Sequence, residues 1–285
     1  MGENHDSPAL VFLHFFGGSA RSWDPVLAEL GEEFRALALD LPGFGAAAGA
    51  SGPYTVAAYA DRVEEAVRTH ELKNYVLVGH SMGGKIALAL AARRPPGLRG
   101  LVLLAPSPPT SEPIEEEMRA KLIAGWGCYG PASETLARIT GRPLEGALRE
   151  RTIADMMTSD MLAWIAWLEH GSREDIAASM ASIDVPALIL SGDRDAVLPS
   201  ELVEREVGDR LESSSTVIVP GAGHLLPIEA PQAVAAEIRL FAKARKRSVG
   251  GQESKIRSLA RTKQQDSHKR RKIAVSGPDA RLDSP

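Results

Sequence analysis

Residues 75–90 read YVLVGHSMGGKIALAL, and this stretch decides the fold. The run at 75–78 is apolar and valine-rich, which is typical of a buried β-strand, whereas the run at 85–90 is typical of a buried helix. Between them, residues 79–83 read Gly-His-Ser-Met-Gly. A sharp turn from a strand into a helix raises the central serine above the sheet and directs the helix N-terminus at it. We therefore predict that Ser81 is a nucleophile.

Short apolar runs alternate with helical patterns on both sides of this stretch. Runs rich in Val, Ile and Leu predict strands at 8–14, 34–39, 75–79, 98–105, 187–191 and 215–220. Helical patterns lie at 20–30, 56–70, 82–93, 200–207 and 232–245, with Ser200 as an N-cap and Pro231 in a first helical position. The alternation predicts an α/β fold, with a mainly parallel sheet of about six strands and helices on both faces.

One long segment, 107–184, breaks the alternation because it contains no strand-like run. It follows a Pro-Ser-Pro-Pro joint at 106–109 and has helical patterns. We expect its large apolar side chains to lie on the apolar faces of these helices: Trp126, Trp164, Trp167, Met156, Met157 and Met161. Long insertions of this kind usually form lids or binding elements. We predict a helical cap at 107–184, inserted into a core formed by 1–106 and 185–242.

The composition narrows the class of protein. The chain has 285 residues, of which 44% are hydrophobic, which suffices for a sizeable core. The single cysteine, Cys128, excludes an intramolecular disulfide and a cysteine-rich metal site. No His, Asp and Glu residues have metal-ligand spacing, so we predict neither a metal nor a cofactor. The first residues lack the pattern of a signal peptide, so we expect a cytoplasmic protein without a membrane partner.

The net charge of −4 is unevenly distributed. Residues 243–285 contain 13 basic and 4 acidic residues, a net charge of +9, and the remaining chain has a net charge of −13. An acidic body repels nucleic acid, so only the basic segment could attract it. Because its apolar periodicity stops after Arg245, we expect residues 243–285 to form a disordered, solvated tail.

The strand–serine–helix unit resembles the nucleophile elbow of the α/β-hydrolase superfamily, and the resemblance extends over residues 8–243. Residues 14–18, His-Phe-Phe-Gly-Gly, resemble the family's His-Gly motif, although Phe15 stands where the family usually has glycine. The resemblance implies that the backbone N–H groups of Phe16 and Met82 form an oxyanion hole. Residues 40–45, Asp-Leu-Pro-Gly-Phe-Gly, match a family turn to which we assign a structural role.

The same resemblance implies an acid and a base later in the chain, in the order Ser, Asp, His. Asp195 takes the place of the acid in the loop after the fifth predicted strand, where Asp193 is the alternative and is more typical of a turn. His224 follows the last strand in Pro-Gly-Ala-Gly-His and takes the place of the base. We assign packing roles to His14 and His80.

Three remaining residues of reactive types receive structural assignments. His70 and His170 lie at predicted helix ends, where a cation complements the helix dipole. Cys128 lies in the predicted cap without a paired histidine, and we expect it to be inert.

These features predict hydrolysis of a small or medium carboxylic ester through an acyl-enzyme, with a small-molecule acyl substrate. Alternatives on the same triad are cleavage of a carbon–carbon bond, perhydrolase or haloperoxidase-like chemistry, and acyl transfer to an alcohol or amine. Carbon–carbon cleavage would favour polar or basic cap residues that face the site, and perhydrolysis would favour a small acyl pocket. A different class, a ligand receptor without catalysis, would not need a complete triad.

Members of the family usually have an antiparallel hairpin before the strand that ends in the His-Gly motif. Here only a few residues precede that strand. We therefore expect a shortened, mainly parallel sheet, in which an exposed first strand would invite pairing with another chain. This expectation favours neither a monomer nor a dimer.

Overall fold

The architecture is a six-stranded sheet whose neighbouring strands are all parallel. The structure is a computed structural model that describes residues 7–245. Its strands are β1 (Ala9–Leu13), β2 (Ala36–Leu39), β3 (Tyr75–His80), β4 (Leu98–Leu104), β5 (Ala187–Gly192) and β6 (Ser214–Val219). Their order across the sheet is β2-β1-β3-β4-β5-β6. All six predicted strands are present, and the predicted fold class is confirmed.

Ten α-helices connect or cover these strands in the described part of the chain. They are α1 (Asp24–Leu30), α2 (Val56–Thr69), α3 (Met82–Ala91), α4 (Glu116–Ala124), α5 (Tyr129–Ile139), α6 (Gly146–Thr158), α7 (Met161–Glu169), α8 (Ser200–Glu206), α9 (Leu226–Glu229) and α10 (Pro231–Lys243). Pro231 opens α10 as predicted. The N-cap prediction for Ser200 is wrong, because Ser200 is already helical and Pro199 precedes it without a capping side chain.

The two faces of the sheet bury two separate apolar layers. Side chains alternate between faces along a strand, so neighbouring residues of β3 enter different layers. Leu77 packs in the layer that contains α2 and α3, whereas Val76 and Val78 pack in the layer that contains α1 and α10. Because both faces are covered, the central strands are apolar at nearly every position, which explains why they could be recognised in the sequence.

β2 forms the edge of the sheet next to β1. The prediction of an exposed first strand is therefore wrong. β1 is fully buried between β2 and β3. After α1 the chain returns to pair on the outer side of β1, and this places β2 at the edge with Ala36 exposed and its other residues half-buried. The prediction considered only the chain before β1, and the exposed position depends on where the later strand pairs.

The segment between β4 and β5 is helical, as predicted: it contains α4, α5, α6 and α7, and no strand is found there. Trp164, Trp167 and Met156 are buried, but Met161 is 46% exposed, so its predicted place on an apolar face is wrong. Met161 is the first residue of α7, directly after the N-cap Asp160, where its side chain is directed away from the packed face.

The boundaries of the predicted cap and core remain predictions. An apolar cluster joins cap residues such as Ile139 and Met156 to Phe15 and Leu225 of the core. Of the predicted tail, residues 246–285 lie outside the described residues. Within 7–245, no helix combines the length and the apolar character that crossing a membrane requires.

Leu103 of β4 is fully buried, whereas Leu240 of α10 is 65% exposed. We expect Leu103→Ala to lower the free energy of unfolding by about 2–5 kcal/mol, because it leaves a cavity in the centre of the sheet. The same truncation at Leu240 should change it by at most about 0.5 kcal/mol. Urea unfolding followed by circular dichroism measures both, and equal losses would contradict the layered core.

Candidate active site

Ser81 occupies the single residue between β3 and α3, with φ of 52° and ψ of −114°. Positive φ is unfavourable for a residue with a side chain, so neighbouring contacts must hold this turn. The Ser81 N–H donates to the Leu104 carbonyl at 3.0 Å, and the Ser81 carbonyl accepts from Gly84 N–H at 2.8 Å. The turn therefore joins two strands and a helix, and it projects the hydroxyl from the sheet edge.

The glycines of the turn are required by close backbone contacts. A Cβ atom on Gly79 would lie 2.5 Å from the carbonyl oxygen of Gly83, and a Cβ atom on Gly83 would lie 2.4 Å from that of Leu13. Both distances are shorter than any real Cβ contact. The sequence pattern around Ser81 thus reflects the tight passage from strand to helix beside β1.

The structure brings Ser81, Asp195 and His224 into one hydrogen-bonded line. His224 Nε2 lies 2.9 Å from Ser81 Oγ, and His224 Nδ1 lies 2.8 Å from Asp195 Oδ2. All three residues are buried. They follow the carboxyl ends of β3, β5 and β6, which in a parallel sheet lie at the same edge. This is the arrangement in which a histidine can take a proton from a serine hydroxyl.

Asp195 is held as a carboxylate by contacts on both oxygens. Its Oδ1 accepts the N–H groups of Val197 at 2.8 Å and Leu198 at 2.9 Å. Burial opposes ionisation, but the nearby His224 and these two amides together hold the pKa of Asp195 below its ordinary value. The alternative, Asp193, is exposed and accepts Gly221 N–H at 2.6 Å, as expected for a residue that shapes a turn.

His80 and His14 support the site through backbone contacts. His80 Nε2 donates to the His224 carbonyl at 2.7 Å, and burial, followed by the nearby His224, lowers the pKa of His80 to about 3. His14 Nδ1 donates to the Phe15 carbonyl at 2.7 Å, while its Nε2 accepts Leu41 N–H at 3.1 Å. These partners define one neutral tautomer of His14, and burial lowers its pKa. Both side chains are packed, as predicted.

The proposed oxyanion donors lie in two different elements. Met82 is the first residue of α3, so its N–H has no acceptor inside the helix. Within the described residues, neither this N–H nor that of Phe16 donates a hydrogen bond. The Phe16 ring lies 4.2 Å from the Trp164 ring of the cap, measured between centroids. Phe15 is buried with its ring 5.2 Å from that of His80, and thereby fills the position where the family usually has glycine.

Two buried carboxylates of this region were not recognised in the sequence. Asp155 of α6 accepts the Ser19 hydroxyl at 2.7 Å and also pairs with Arg21, so it ties the cap to the loop that contains Phe16. Glu229 accepts three backbone N–H groups around His224. The available signal for Glu229 was a lone carboxylate inside the apolar run Leu-Leu-Pro-Ile-Glu-Ala-Pro at 225–231.

The remaining residues assigned from sequence lie away from this line. His70 and His170 are the C-caps of α2 and α7, as expected. Cys128 is exposed at the start of α5. Among the residues that the structure describes, no three His, Cys, Asp or Glu side chains are grouped so that they could hold a metal ion.

A family model described as the alpha/beta hydrolase family matches residues 10–237, which is most of the chain. The chain belongs to the alpha/beta hydrolase family. The match contains the elbow, the loop of Asp195 and the loop of His224, so all three proposed triad residues fall inside it. The expectation of a hydrolase on this fold is confirmed.

Curated members of this family resemble the chain over nearly its whole described length. A 2-succinyl-6-hydroxy-2,4-cyclohexadiene-1-carboxylate synthase from Serratia proteamaculans is 29% identical over 250 residues, which cover 83% of this chain and 93% of the relative. A pimeloyl-[acyl-carrier protein] methyl ester esterase from Pectobacterium atrosepticum is 28% identical over 252 residues, which cover 82% of this chain and 94% of the relative. The structure of an esterase from Thermogutta terrifontis is similar with a TM-score of 0.73 and 27% sequence identity, and the match covers 84% of this chain and 91% of that protein.

The low pKa of His80 makes this alpha/beta hydrolase sensitive to acid. The folded chain keeps His80 neutral down to about pH 3, whereas the unfolded chain takes up a proton near the ordinary value of 6.5. Stability is therefore lost as the pH falls below 6.5. The free energy of unfolding of the wild type should fall between pH 7 and pH 5, and we expect His80→Gln to make this fall smaller by about 2 kcal/mol. Urea unfolding at both pH values measures this, with the exposed His70→Gln as the control. An unchanged pH dependence in His80→Gln would contradict it.

Proposed function

We propose that this chain is a serine hydrolase that cleaves a small or medium carboxylic ester through an acyl-enzyme. The observation that carries the proposal is the continuous line of hydrogen bonds from Asp195 through His224 to Ser81 on the strained elbow. Ser81 is the proposed nucleophile, His224 the base and Asp195 the acid. The N–H groups of Phe16 and Met82 are the proposed oxyanion donors.

The first half-reaction transfers the acyl group to the enzyme. Ser81 Oγ attacks the carbonyl carbon while its proton passes to His224 Nε2 at 2.9 Å. The carbonyl oxygen becomes an oxyanion, which the two backbone N–H groups and the N-terminus of α3 stabilise. The tetrahedral intermediate collapses, His224 returns the proton to the departing alkoxide, and an alcohol leaves. The acyl group is then bonded to Ser81 Oγ.

The second half-reaction releases the acid. His224 takes a proton from a water molecule, whose oxygen attacks the acyl carbon. The second tetrahedral intermediate expels Ser81 Oγ, which regains the proton from His224, and the carboxylic acid departs. Asp195 stays ionised throughout and stabilises the imidazolium, a role that suits a carboxylate whose pKa is held low.

The ester class is supported by the activities of two similar proteins. The relative from Pectobacterium atrosepticum is a methyl ester esterase, and the structure from Thermogutta terrifontis is that of an esterase. A serine at position 81 is also unlike the dehalogenase and epoxide-hydrolase branches, which use aspartate. A small-molecule acyl substrate and a cytoplasmic location belong to the same proposal. The acidic body repels nucleic acid, so only the basic residues 243–285 could attract it.

The triad assignment is tested by p-nitrophenyl esters of increasing acyl length. We expect Ser81→Ala to abolish turnover, and Asp195→Asn to lower kcat by about 10⁴-fold because the histidine loses its correct tautomer. The matched control is Asp193→Asn, two residues away, which should stay within about threefold of wild type because Asp193 only shapes the turn. Turnover that survives in Ser81→Ala would refute the nucleophile. Tight ligand binding by a wild type that has no turnover would favour the receptor.

A second candidate is hydrolysis of a substrate that carries its own carboxylate, as carbon–carbon hydrolases of this fold would require. Two buried cations favour it. Lys85 of α3 donates to the Thr110 carbonyl at 3.0 Å, and Arg119 of the cap donates to the Ser172 hydroxyl at 2.9 Å. The Ser172 carbonyl lies 3.5 Å from Lys85 Nζ, so both cations meet at this residue.

Carboxylates act on both cations: Arg119 Nε lies 3.7 Å from Glu116 Oε1, and Glu112, Glu174 and Asp175 act on Lys85. Burial lowers the pKa of Lys85 to about 8, which leaves it mostly protonated at neutral pH, and arginine stays charged. The half-buried Glu112 is nearby, but burial raises the pKa of its carboxyl and favours the neutral form. Lys85 lies one helical turn after Ser81, and Lys85, Arg119 and His224 all act on the Glu112 carboxyl, which supports a place for both cations in the surroundings of the proposed base. The relative from Serratia proteamaculans is a carboxylate synthase by name.

This candidate is tested by p-nitrophenyl hemisuccinate and p-nitrophenyl butyrate, which have similar acyl lengths and differ in charge. We expect Arg119→Met to lower kcat/KM for the anionic ester about ten- to a hundredfold relative to the neutral one, and Arg119→Lys to retain more of the preference. The ratio of the two esters cancels any general loss of folded protein. A ratio unchanged in Arg119→Met would refute the anionic substrate.

A further inference from the structure

One buried carboxylate binds the main chain on both sides of His224. Glu229, at the end of α9, is 1% exposed. Its Oε2 accepts Gly223 N–H at 3.0 Å, and its Oε1 accepts Leu225 N–H at 3.0 Å. These are the residues immediately before and after His224. The carboxylate therefore fixes the direction in which the loop presents the imidazole.

The same carboxylate also binds the cap. Glu229 Oε2 accepts a second N–H, that of Gly141 in the loop between α5 and α6, at 2.8 Å. In the opposite direction, the His224 N–H donates to the carbonyl of Ile139 at 2.8 Å. The loop of the proposed base and the α5–α6 loop are thus joined by hydrogen bonds that flank the imidazole.

The two loops are in direct backbone contact, which leaves no room for another residue between them. A Cβ atom on Gly223 would lie 2.1 Å from the Gly141 nitrogen, and a Cβ atom on Gly141 would lie 2.6 Å from the Gly223 nitrogen. Because both N–H groups point at one acceptor, the backbones can approach this closely only while that acceptor is present. A buried N–H without a partner is unfavourable because it has lost its hydrogen bond to water and gained none in the protein.

We propose that Glu229 is a positioning residue that holds His224 in line with Ser81 and couples this alignment to the seating of the cap. The proposal rests on the proposed role of His224 as the base. His224 is held at its ring by Ser81 and Asp195, and at its own carbonyl by His80. Glu229 holds the adjacent peptide units, so its loss allows the ring to move, and a shift of about 1 Å can cost about a hundredfold in rate.

The test uses the full chain and two readouts, turnover of p-nitrophenyl acetate and the rate at which a fluorophosphonate labels Ser81. A glutamine side chain has the same shape as the Glu229 side chain, but one of its oxygens is replaced by an NH₂ group. That group donates and cannot accept, so one side of the site loses its acceptor for the loop N–H groups. We expect Glu229→Gln to lower kcat and the labelling rate about ten- to a hundredfold, with KM within about threefold. The matched control is Glu174→Gln, since Glu174 also accepts a backbone N–H, that of Val56 at 3.0 Å, but touches neither loop.

A second pair of variants tests the coupling to the cap. This pair also tests the positioning role if Glu229→Gln does not fold. Gly141→Ala adds a methyl group against the loop of His224, whereas Gly130→Ala adds one in α5 with no atom within 4 Å. We expect Gly141→Ala to lower kcat and labelling in the same way as Glu229→Gln, and Gly130→Ala to leave both unchanged.

Three results separate the possible failures. A wild-type chain that is not labelled at Ser81 would refute the proposed function. Labelling of Glu229→Gln and Gly141→Ala at the wild-type rate would refute the positioning role while leaving the proposed function intact. A loss in Glu229→Gln that Glu174→Gln reproduces, in proportion to an equal fall in Tm, would show a merely structural role and would also overturn the proposal.

Discussion

The backbone of Ser81 is held in a conformation that residues with side chains avoid, at a cost of about 1–3 kcal/mol. Hydrogen bonds to Leu104, Gly84 and Ser107 hold it there, so the turn is clamped by the ends of β3 and β4 and the first turn of α3. This clamp requires the two glycines of the elbow and a parallel neighbour on each side of β3. The remainder of the α/β core acts as the support that makes one unfavourable residue stable.

The cap contacts both loops on which the proposed chemistry depends. Asp155 joins α6 to the Ser19 hydroxyl, and the Trp164 ring packs on Phe16, which carries one of the proposed oxyanion donors. On the opposite side, the α5–α6 loop meets the loop of His224 through Glu229. The position of this segment and the geometry of the proposed reacting groups are therefore fixed by the same contacts.

The sequence could predict what depends on local patterns. The central strands β1, β3, β4 and β5 are buried and apolar at nearly every position, and the edge strands β2 and β6 still contain short apolar runs, so all six were found. The tight turn around Ser81 requires glycines at fixed spacing. Asp195 and His224 follow the fifth and sixth strands, and parallel pairing brings them to one edge. Two features that were missed depend on partners distant in the chain: the edge position of β2, and the acceptor role of Glu229 toward Gly141, 88 residues away. The exposure of Met161 instead follows from its place as the first residue of α7. No local pattern encodes such a partner.

The parallel sheet also separates the proposed catalytic groups in time. Ser81 and His224 are 143 residues apart. Ser81 follows β3 and His224 follows β6, and β4, the helical segment and β5 lie between these two strands in the chain. Contacts with such a large sequence separation form late and slow the folding of a domain. During synthesis, a chain that has completed β4 contains the strands that clamp Ser81 but has no group to deprotonate its hydroxyl. Reactivity toward an ester would therefore mark the moment at which the last strand has joined the sheet.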